Sequence, residues 1–467
     1  MYKIVLQNIE NTYDFNELIK IFLEEEEYEL YTESEFSEVK NDENFNSEDC
    51  VVIVAEGFSK NQLKQQLYHK LAKITGKKPK WGIHTGVRPI KLVCELFDKY
   101  NGNEEMVSDE LSGIYLFSDQ KKALALDIAK LQRKLLTPAE ENSVGMYIGI
   151  PFCPTRCLYC SFTSNELNPH KVKMYLQALF MEIEYTARRM RELSIYPESI
   201  YIGGGTPTTL SAEELDSLIT KIEEEFNLSK LKEFTVEAGR ADTITLEKLK
   251  VLHIHNVNRI SINPQSMKDQ TLDLIGRHHT SNQVIEAFEM AHEVGGFSIN
   301  ADVIAGLPKE ELSDFEKTIN RLIELRADDI TIHTLAVKKG SKLIDVDNRY
   351  HIKHENIAGA MVDLGASVLK HSGYEPYYLY RQKYMAGALE NTGYATPGNE
   401  SVYNIRIMDE HQTIVALGAG GISKAYFPKE NRLIRVPNVS NYEIYIARIS
   451  DMIDRKEENL FTGGILC

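Results

Sequence analysis

The stretch Tyr147-Ile-Gly-Ile-Pro-Phe-Cys153-Pro-Thr-Arg-Cys157-Leu-Tyr-Cys160 decides how this chain is read. Three cysteines stand at C-x3-C-x2-C spacing directly after a short apolar run at 146–150. Thiolates are the usual protein ligands of iron–sulfur clusters, and a cubane cluster has four irons. Three local ligands leave one iron without a protein partner, a place where a small molecule can coordinate and receive an electron. That arrangement points to radical chemistry and away from a sealed structural site. Zinc favours four closed ligands. The other cysteines, Cys50, Cys94 and Cys467, are far off in sequence, with no second C-x2-C or H-x3-H pair, and read as ordinary thiols. A disulfide is disfavoured: the N-terminus turns polar too soon for a secretory signal, and the chain reads as cytoplasmic.

Outward from the cysteines, the stretch 145–336 alternates strictly. Short β-rich runs at 146–150, 198–202, 233–237, 257–262, 298–304 and 329–335 are separated by amphipathic, helix-length segments at 170–194, 211–226, 245–252, 281–294 and 311–325. Strands alternating with helices imply parallel βαβ units. Six such strands suit an open doubly wound sheet or an incomplete (β/α) barrel. Both place the active site at the carboxyl ends of the strands. The polar and glycine-rich clusters fall there: the cysteine loop after the first strand, Gly203-Gly-Gly-Thr206-Pro207 after the second, Glu237 after the third, Asn263-Pro-Gln265 after the fourth, and Asp302 to Pro308 closing the fifth. The triple glycine would let backbone approach a ligand closely.

At 467 residues the chain is too long for one average core. Residues 1–140 read as an α/β accessory domain, with strands at 2–7 and 51–55, helices at 60–75 and 120–136, and a turn-rich stretch at 81–91 holding Arg88-Pro89. The acidic stretch 24–49 reads as a solvated face or loop. Beyond 340 a helix at 355–371 precedes Tyr374-Glu-Pro-Tyr-Tyr-Leu-Tyr380-Arg381-Gln382-Lys383, and the remainder reads as a smaller C-terminal domain beside the barrel. The net charge of −16 argues against nonspecific nucleic-acid binding, and no apolar run is long enough to span a membrane.

Taken together, these motifs resemble the radical S-adenosylmethionine (SAM) superfamily. Over roughly residues 145–425 they are similar to its oxygen-independent coproporphyrinogen III oxidase (coproporphyrinogen dehydrogenase) family. Gly86-Val-Arg-Pro-Ile-Lys91 and Tyr380-Arg-Gln-Lys383 resemble the HemZ-type branch. The resemblance implies an incomplete (β/α)6 radical SAM barrel at 141–338, the N-terminal α/β domain at 1–140, and a substrate-covering α+β domain at 339–467. It implies a [4Fe–4S] cluster on Cys153, Cys157 and Cys160, with SAM on the unique iron, split by one electron to a 5′-deoxyadenosyl radical. Tyr147, Gly204, Gly205, Thr206 and Glu237 match the family's SAM contacts. Some members bind a second SAM, through residues that match Gln265, Arg277, Asp302 and Ala336, with Tyr159 in the cysteine loop.

The expected reaction is oxidative decarboxylation of coproporphyrinogen III propionates to vinyls, giving protoporphyrinogen IX in haem biosynthesis. A small electron-transfer protein such as flavodoxin or ferredoxin would supply electrons. Arg88, Arg381 and Arg406 are candidate anchors for the tetrapyrrole carboxylates. Two positions depart from the dehydrogenase pattern: Gly149 replaces a histidine, and Phe162 replaces a fourth cysteine. The alternative is a haem-delivery protein, for which His278, His279 and His333 are the nearest haem ligands. The haem-chaperone motif His-Asn-x-x-Tyr-Trp finds only Tyr403-Asn404 here. A radical methyltransferase or ring-opening enzyme acting on a tetrapyrrole fits the same motifs.

Overall fold

In the computed structural model the described residues are all except 33–34, 37–49, 137–138, 162–164, 167, 339, 348, 383–384 and 463–467. Phe162, Lys383, Cys467 and most of the acidic stretch lie outside them. The chain divides into two compact units: Met1–Leu131 with Tyr380–Lys383 and Gly387–Leu389, and the remainder.

In the first unit, β1 (Tyr2–Gln7), β2 (Tyr28–Thr32) and β3 (Cys50–Val54) form a parallel sheet in the order β2-β1-β3. Ile4 and Leu6 of β1 and Val51 and Ile53 of β3 pack against Phe15, Leu18 and Phe22 of the helix Tyr13–Phe22 and Leu63, Leu67 and Leu71 of the helix Lys60–Thr75. The second helix starts at a Ser59/Gln62 capping box and stops at Gly76, whose φ is 72°. The reading of 24–49 as solvated is corrected at Tyr28–Thr32. This segment is an edge strand, and its Tyr28 is buried against the core despite the glutamates around it. The helices Pro89–Lys99, Glu104–Gly113 and the expected Asp119–Leu135 follow the turn-rich stretch. Pro89 takes the first helical position, where its missing N–H is not needed.

The second unit carries β4 (Ser143–Ile150), a two-stranded pair of β5 (Phe152–Cys153) and β6 (Asn165–Glu166), then β7 (Tyr196–Gly204), β8 (Glu233–Glu237), β9 (Arg259–Ser261), β10 (Ser298–Ala305) and β11 (Asp329–Thr334). All six expected barrel strands are present, with helices Pro169–Glu192, Ala212–Glu225, Leu246–Ile254, Ser281–Val294 and Leu312–Glu324 between them. Apart from the separate β5–β6 pair, the strands from β4 to β11 lie side by side in chain order, all parallel. A doubly wound sheet reverses its strand order at a switch point. This sheet does not reverse, so it is the barrel type, and it stays open. β13 (Asn391–Ala395) pairs antiparallel with β11, with β12 (Glu375–Tyr380) outside it. β14 (Ile414–Leu417) pairs parallel with β4, followed by β15 (Ile422–Phe427) and β16 (Arg432–Pro437). Residues after 338 thus extend both edges of the barrel sheet.

Strand alternation sorts the side chains. Met146, Ile148, Ile200, Ile202, Val236, Val303 and Ile332 are 0–1% exposed and form the apolar layer. The alternate positions, Tyr147, Tyr201, Glu237, Asp302 and His333, fall on the other face of the sheet.

Candidate active site

The cysteine loop leaves β4 and is stitched to the end of β7. Gly205 N–H donates to Ile150 O at 2.8 Å, and Thr206 N–H donates to Phe152 O at 2.7 Å. This closeness explains the glycines. A Cβ on Gly204 would lie 2.9 Å from Ile150 O, and one on Gly205 would lie 2.5 Å from Phe152 O and 2.9 Å from Cys153 Sγ. Gly204 also has a φ of +119°. The expected close approach exists, and its partner here is the cysteine loop. At Gly203 the missing Cβ makes room for the Glu237 carboxylate, 3.0 Å away.

The loop is also tied on its far side. Leu158 N–H donates to Ile275 O at 2.9 Å, and the Thr155 hydroxyl donates to Gly276 O at 3.2 Å. Buried Arg240 donates from Nη1 to Thr155 Oγ1 at 2.7 Å. Its Nε and Nη2 form a fork on Asp242, at 3.0 and 2.8 Å. Burial disfavours charge on Asp242, yet His279 and Arg240 hold its carboxyl well below the usual range. The sequence reading missed Arg240; an arginine after a glycine carries no signal of the threonine it will meet 85 residues earlier.

The three cysteines line one cleft with Tyr159, Gly205, Thr206, Glu237, Gly239, Arg240, Asn263 and Arg277. Among the described residues no three His, Cys, Asp or Glu side chains converge on a single ion. Two buried guanidiniums, Arg240 and Arg277, face the thiols and would offset the negative charge of a thiolate-ligated cluster. Burial pushes the Cys153 thiol up to about 11, while the Thr206 hydroxyl, 3.6 Å from its sulfur, opposes that rise. Metal coordination would have to displace this proton. The donor set fits a [4Fe–4S] cluster.

Beside the cysteines, Glu237 accepts from the Tyr201 hydroxyl at 2.5 Å and from Gly204 N–H at 3.2 Å. Burial pushes its carboxyl up to about 7, and the Asp302 charge adds to the rise. Tyr147 and Tyr201 are register partners, stacked at 6.2 Å, and Tyr403 stacks on Tyr201 at 4.7 Å. Arg277 donates to the carbonyls of Gly239, at 3.1 Å, and Asn263, and faces Tyr159 and Cys157. Gln265 has a φ of 67°, and its Oε1 is buried without a hydrogen-bond partner. Its N–H donates to Asp302 O at 2.9 Å, so the two sit on adjoining strand ends. Burial opposes charge on Asp302, but His333, 3.5 Å away, and the Asn300 amide hold its carboxyl below its ordinary value. Ala336 lies past β11, bridged to Met385.

The radical SAM superfamily model matches residues 147–322. The oxygen-independent coproporphyrinogen-III oxidase-like protein HemZ of Bacillus subtilis (strain 168) is 37% identical over 402 residues, which is 85% of this chain and 80% of that protein. The chain belongs to the radical SAM family of HemZ-like, coproporphyrinogen-III oxidase-like proteins. The haem chaperone HemW of the same organism is 32% identical over 277 residues, 59% of this chain and 69% of HemW. The solved structure of Escherichia coli coproporphyrinogen III oxidase, itself described as a radical SAM enzyme, shares the fold: TM-score 0.54 at 21% identity, covering 70% of this chain and 73% of that one.

Some expected contacts of this radical SAM protein are corrected by its geometry. Arg406 is committed to Glu198, with Nε to Oε2 at 2.9 Å and Nη2 to Oε1 at 3.2 Å. Glu198 is near the start of β7, about 20 Å of extended strand from Gly204. Arg406 therefore braces the opposite end of the barrel and is no substrate anchor there. Arg381 donates to the carbonyls of His84 and Ala388, and Arg88 stands at the N-cap position of the helix Pro89–Lys99, with no side-chain capping hydrogen bond. Among the histidines offered as haem ligands, His278 is exposed, His279 is buried 3.8 Å from Asp242, and His333 is engaged with Asp302. Two further residues were missed. Tyr403 is held by Glu233, which accepts from Ser401 Oγ, Val402 N and Tyr403 N. Lys338 follows β11; burial pushes its ammonium below the ordinary value, and the neighbouring Cys160 opposes that fall.

Proposed function

We propose that this chain is a radical SAM oxidoreductase that converts two propionates of coproporphyrinogen III to vinyls, giving protoporphyrinogen IX. The observation that carries the reading is the single cleft holding three cysteines, the glycine turn and the half-buried Glu237. The choice of substrate is supported by the likeness to the HemZ protein. When bound, a [4Fe–4S] cluster supplies the electron that splits SAM to a 5′-deoxyadenosyl radical.

This chain's residues would do the holding. Cys153, Cys157 and Cys160 ligate the cluster, and Thr206 hydrogen-bonds the Cys153 sulfur. Glu237, fixed by Tyr201 and Gly204, offers acceptor oxygens to SAM hydroxyl or ammonium hydrogens. Tyr147, stacked on Tyr201, is proposed as a further SAM contact. Gln265, Arg277, Asp302, Ala336 and Tyr159 are proposed for a second SAM; the unpartnered Gln265 Oε1 supports a ligand at that place. Lys338 is proposed to attract a substrate carboxylate. Each decarboxylation removes one β-hydrogen atom, releases CO2 and passes one electron to an acceptor, so both a low-potential donor such as flavodoxin or ferredoxin and an acceptor take part. The segments 1–140, 141–338 and 339–467 are proposed as accessory, catalytic and substrate-covering parts, and the protein as cytoplasmic. Among the described residues no helix is long and apolar enough to cross a membrane.

A haem-delivery role is the second reading, favoured by the HemW likeness. An anaerobic assay separates the two. Reconstituted protein receives SAM, a reductant, an acceptor and coproporphyrinogen III, and porphyrins are followed by chromatography. Protoporphyrin that disappears in Cys157→Ala supports the dehydrogenase. Stoichiometric haem binding without porphyrin conversion would replace it with delivery, and a methylated or opened tetrapyrrole with the third chemistry.

A further inference from the structure

The N-terminal unit contains a cavity of about 390 Å³, within the size range of small-molecule sites. The helix Tyr13–Phe22 supplies Asp14 and Glu17 to its wall, the helix Lys60–Thr75 supplies Lys64, and the turn after Trp81 supplies His84 and Thr85. Tyr115 completes an aromatic side.

Lys64 is the unusual member. It is 7% exposed. Its ammonium donates to the Thr85 hydroxyl oxygen at 3.3 Å, and no ion pair reaches it among the described residues. An ammonium has three donors, and a buried charge without a counterion is costly. Asp14, the nearest carboxylate by electrostatics, is already paired with Lys60. Thr85 accepts from Lys64, so its own hydroxyl hydrogen points elsewhere.

The turn is built to hold these groups. The His84 ring lies under Gly86, where a Cβ would be 2.9 Å from Nε2. Burial, then the Arg381 and Lys64 charges, keep the ring neutral, so it cannot serve as a second cation. From the other side Arg381 Nη1 donates to His84 O at 2.7 Å, and Arg381 N–H donates to Val87 O at 2.7 Å. This brace gives a physical reason for the two separated motifs around Arg88 and Arg381: one forms the turn, and the other fixes it.

We propose that this cavity binds a small organic monocarboxylate, its carboxylate on Lys64 Nζ and the Thr85 hydroxyl and its apolar or aromatic body against Tyr115. Among the described residues lining the cavity, one anionic charge matches the one cation without an ion pair. A phosphate dianion would meet Asp14 and Glu17 on the same wall. The site shares no lining residue with the cysteine cleft and stands whether or not the tetrapyrrole reading does.

The test is calorimetric titration of the full-length, cluster-loaded protein with sodium benzoate, L-phenylalanine and inorganic phosphate at matched ionic strength. Saturable binding of benzoate or phenylalanine is expected, tighter than phosphate by about tenfold or more. It should be lost in Lys64→Met, weakened in Thr85→Val and retained in Cys157→Ser. Lys64→Met should also raise the melting temperature of the ligand-free protein, because it removes an unpaired buried charge. No saturable binding of either carboxylate, binding unchanged in Lys64→Met, or phosphate as the tightest ligand would overturn the proposal. A lowered melting temperature in Lys64→Met would assign Lys64 a structural role and overturn it equally.

Discussion

Replacing Gly205 with alanine tests how the cysteine loop is held. The added Cβ would lie 2.5 Å from Phe152 O and 2.9 Å from Cys153 Sγ. Neither neighbour is the free end of a long side chain, so the backbone of β7 and the cysteine loop must part. Parting strains two hydrogen bonds, Gly205 N to Ile150 O at 2.8 Å and Thr206 N to Phe152 O at 2.7 Å. Each contributes about 1 kcal/mol net, and overpacking adds about 1–3 kcal/mol. The combined cost is about 3–5 kcal/mol, a fall in melting temperature on the order of 5–10 °C. Because Cys153 is displaced as well, iron and sulfide per chain after anaerobic reconstitution should fall several-fold. Gly239→Ala is the control: it lines the same cleft, but its Cβ would meet only Asn263 Nδ2 at 3.6 Å, so it should keep its iron. Gly205→Ala with a full cluster and the parental melting temperature would refute the reasoning.

Three further outcomes are expected. Arg240→Leu should lower cluster occupancy and stability, at about 1.5–3 kcal/mol for each charged hydrogen bond lost; Arg240→Lys should recover only part, since an ammonium cannot fork onto Asp242, and full recovery by Lys would count against the forked geometry. Lys456 and Glu182 form an ion pair with both side chains 0% exposed, so Lys456→Met should cost about 3–5 kcal/mol by stranding the carboxylate, checked by denaturant unfolding; a neutral result would contradict it. Burial pushes the Glu310 carboxyl up to about 7. The native state then holds its proton where the unfolded chain, near the ordinary value of 4.5, has released it. Stability should therefore fall as pH rises from about 4.5 to about 7 and level off above, by on the order of 3 kcal/mol. Glu310→Gln should flatten that slope in pH-dependent unfolding, and an unchanged slope would dismiss the assignment.

What was legible in the sequence was local. The first five barrel strands announced themselves by an apolar run ending in glycine or a polar cluster, and the cysteine spacing named the chemistry. The strands' shared direction then placed Glu237, Gln265 and Asp302 at one rim. Pairings across long sequence distances were not legible. β14 meets β4 with Ala416 opposite Tyr147, a match that no local pattern encodes, so the sheet's extension past residue 338 went unread. Arg406 read as a substrate anchor because its counterion, Glu198, stands 208 residues upstream. β2 was hidden for a different reason: a half-buried edge strand tolerates the glutamates around Tyr28, and charge density masked its alternation.

The most direct test of the central claim is 5′-deoxyadenosine formed per chain when reconstituted protein is given SAM and a low-potential reductant under argon, with and without coproporphyrinogen III. The account predicts SAM cleavage that needs Cys153, Cys157 and Cys160 and rises with the porphyrinogen in step with vinyl formation. An intact cluster that leaves SAM uncleaved in both conditions would contradict it.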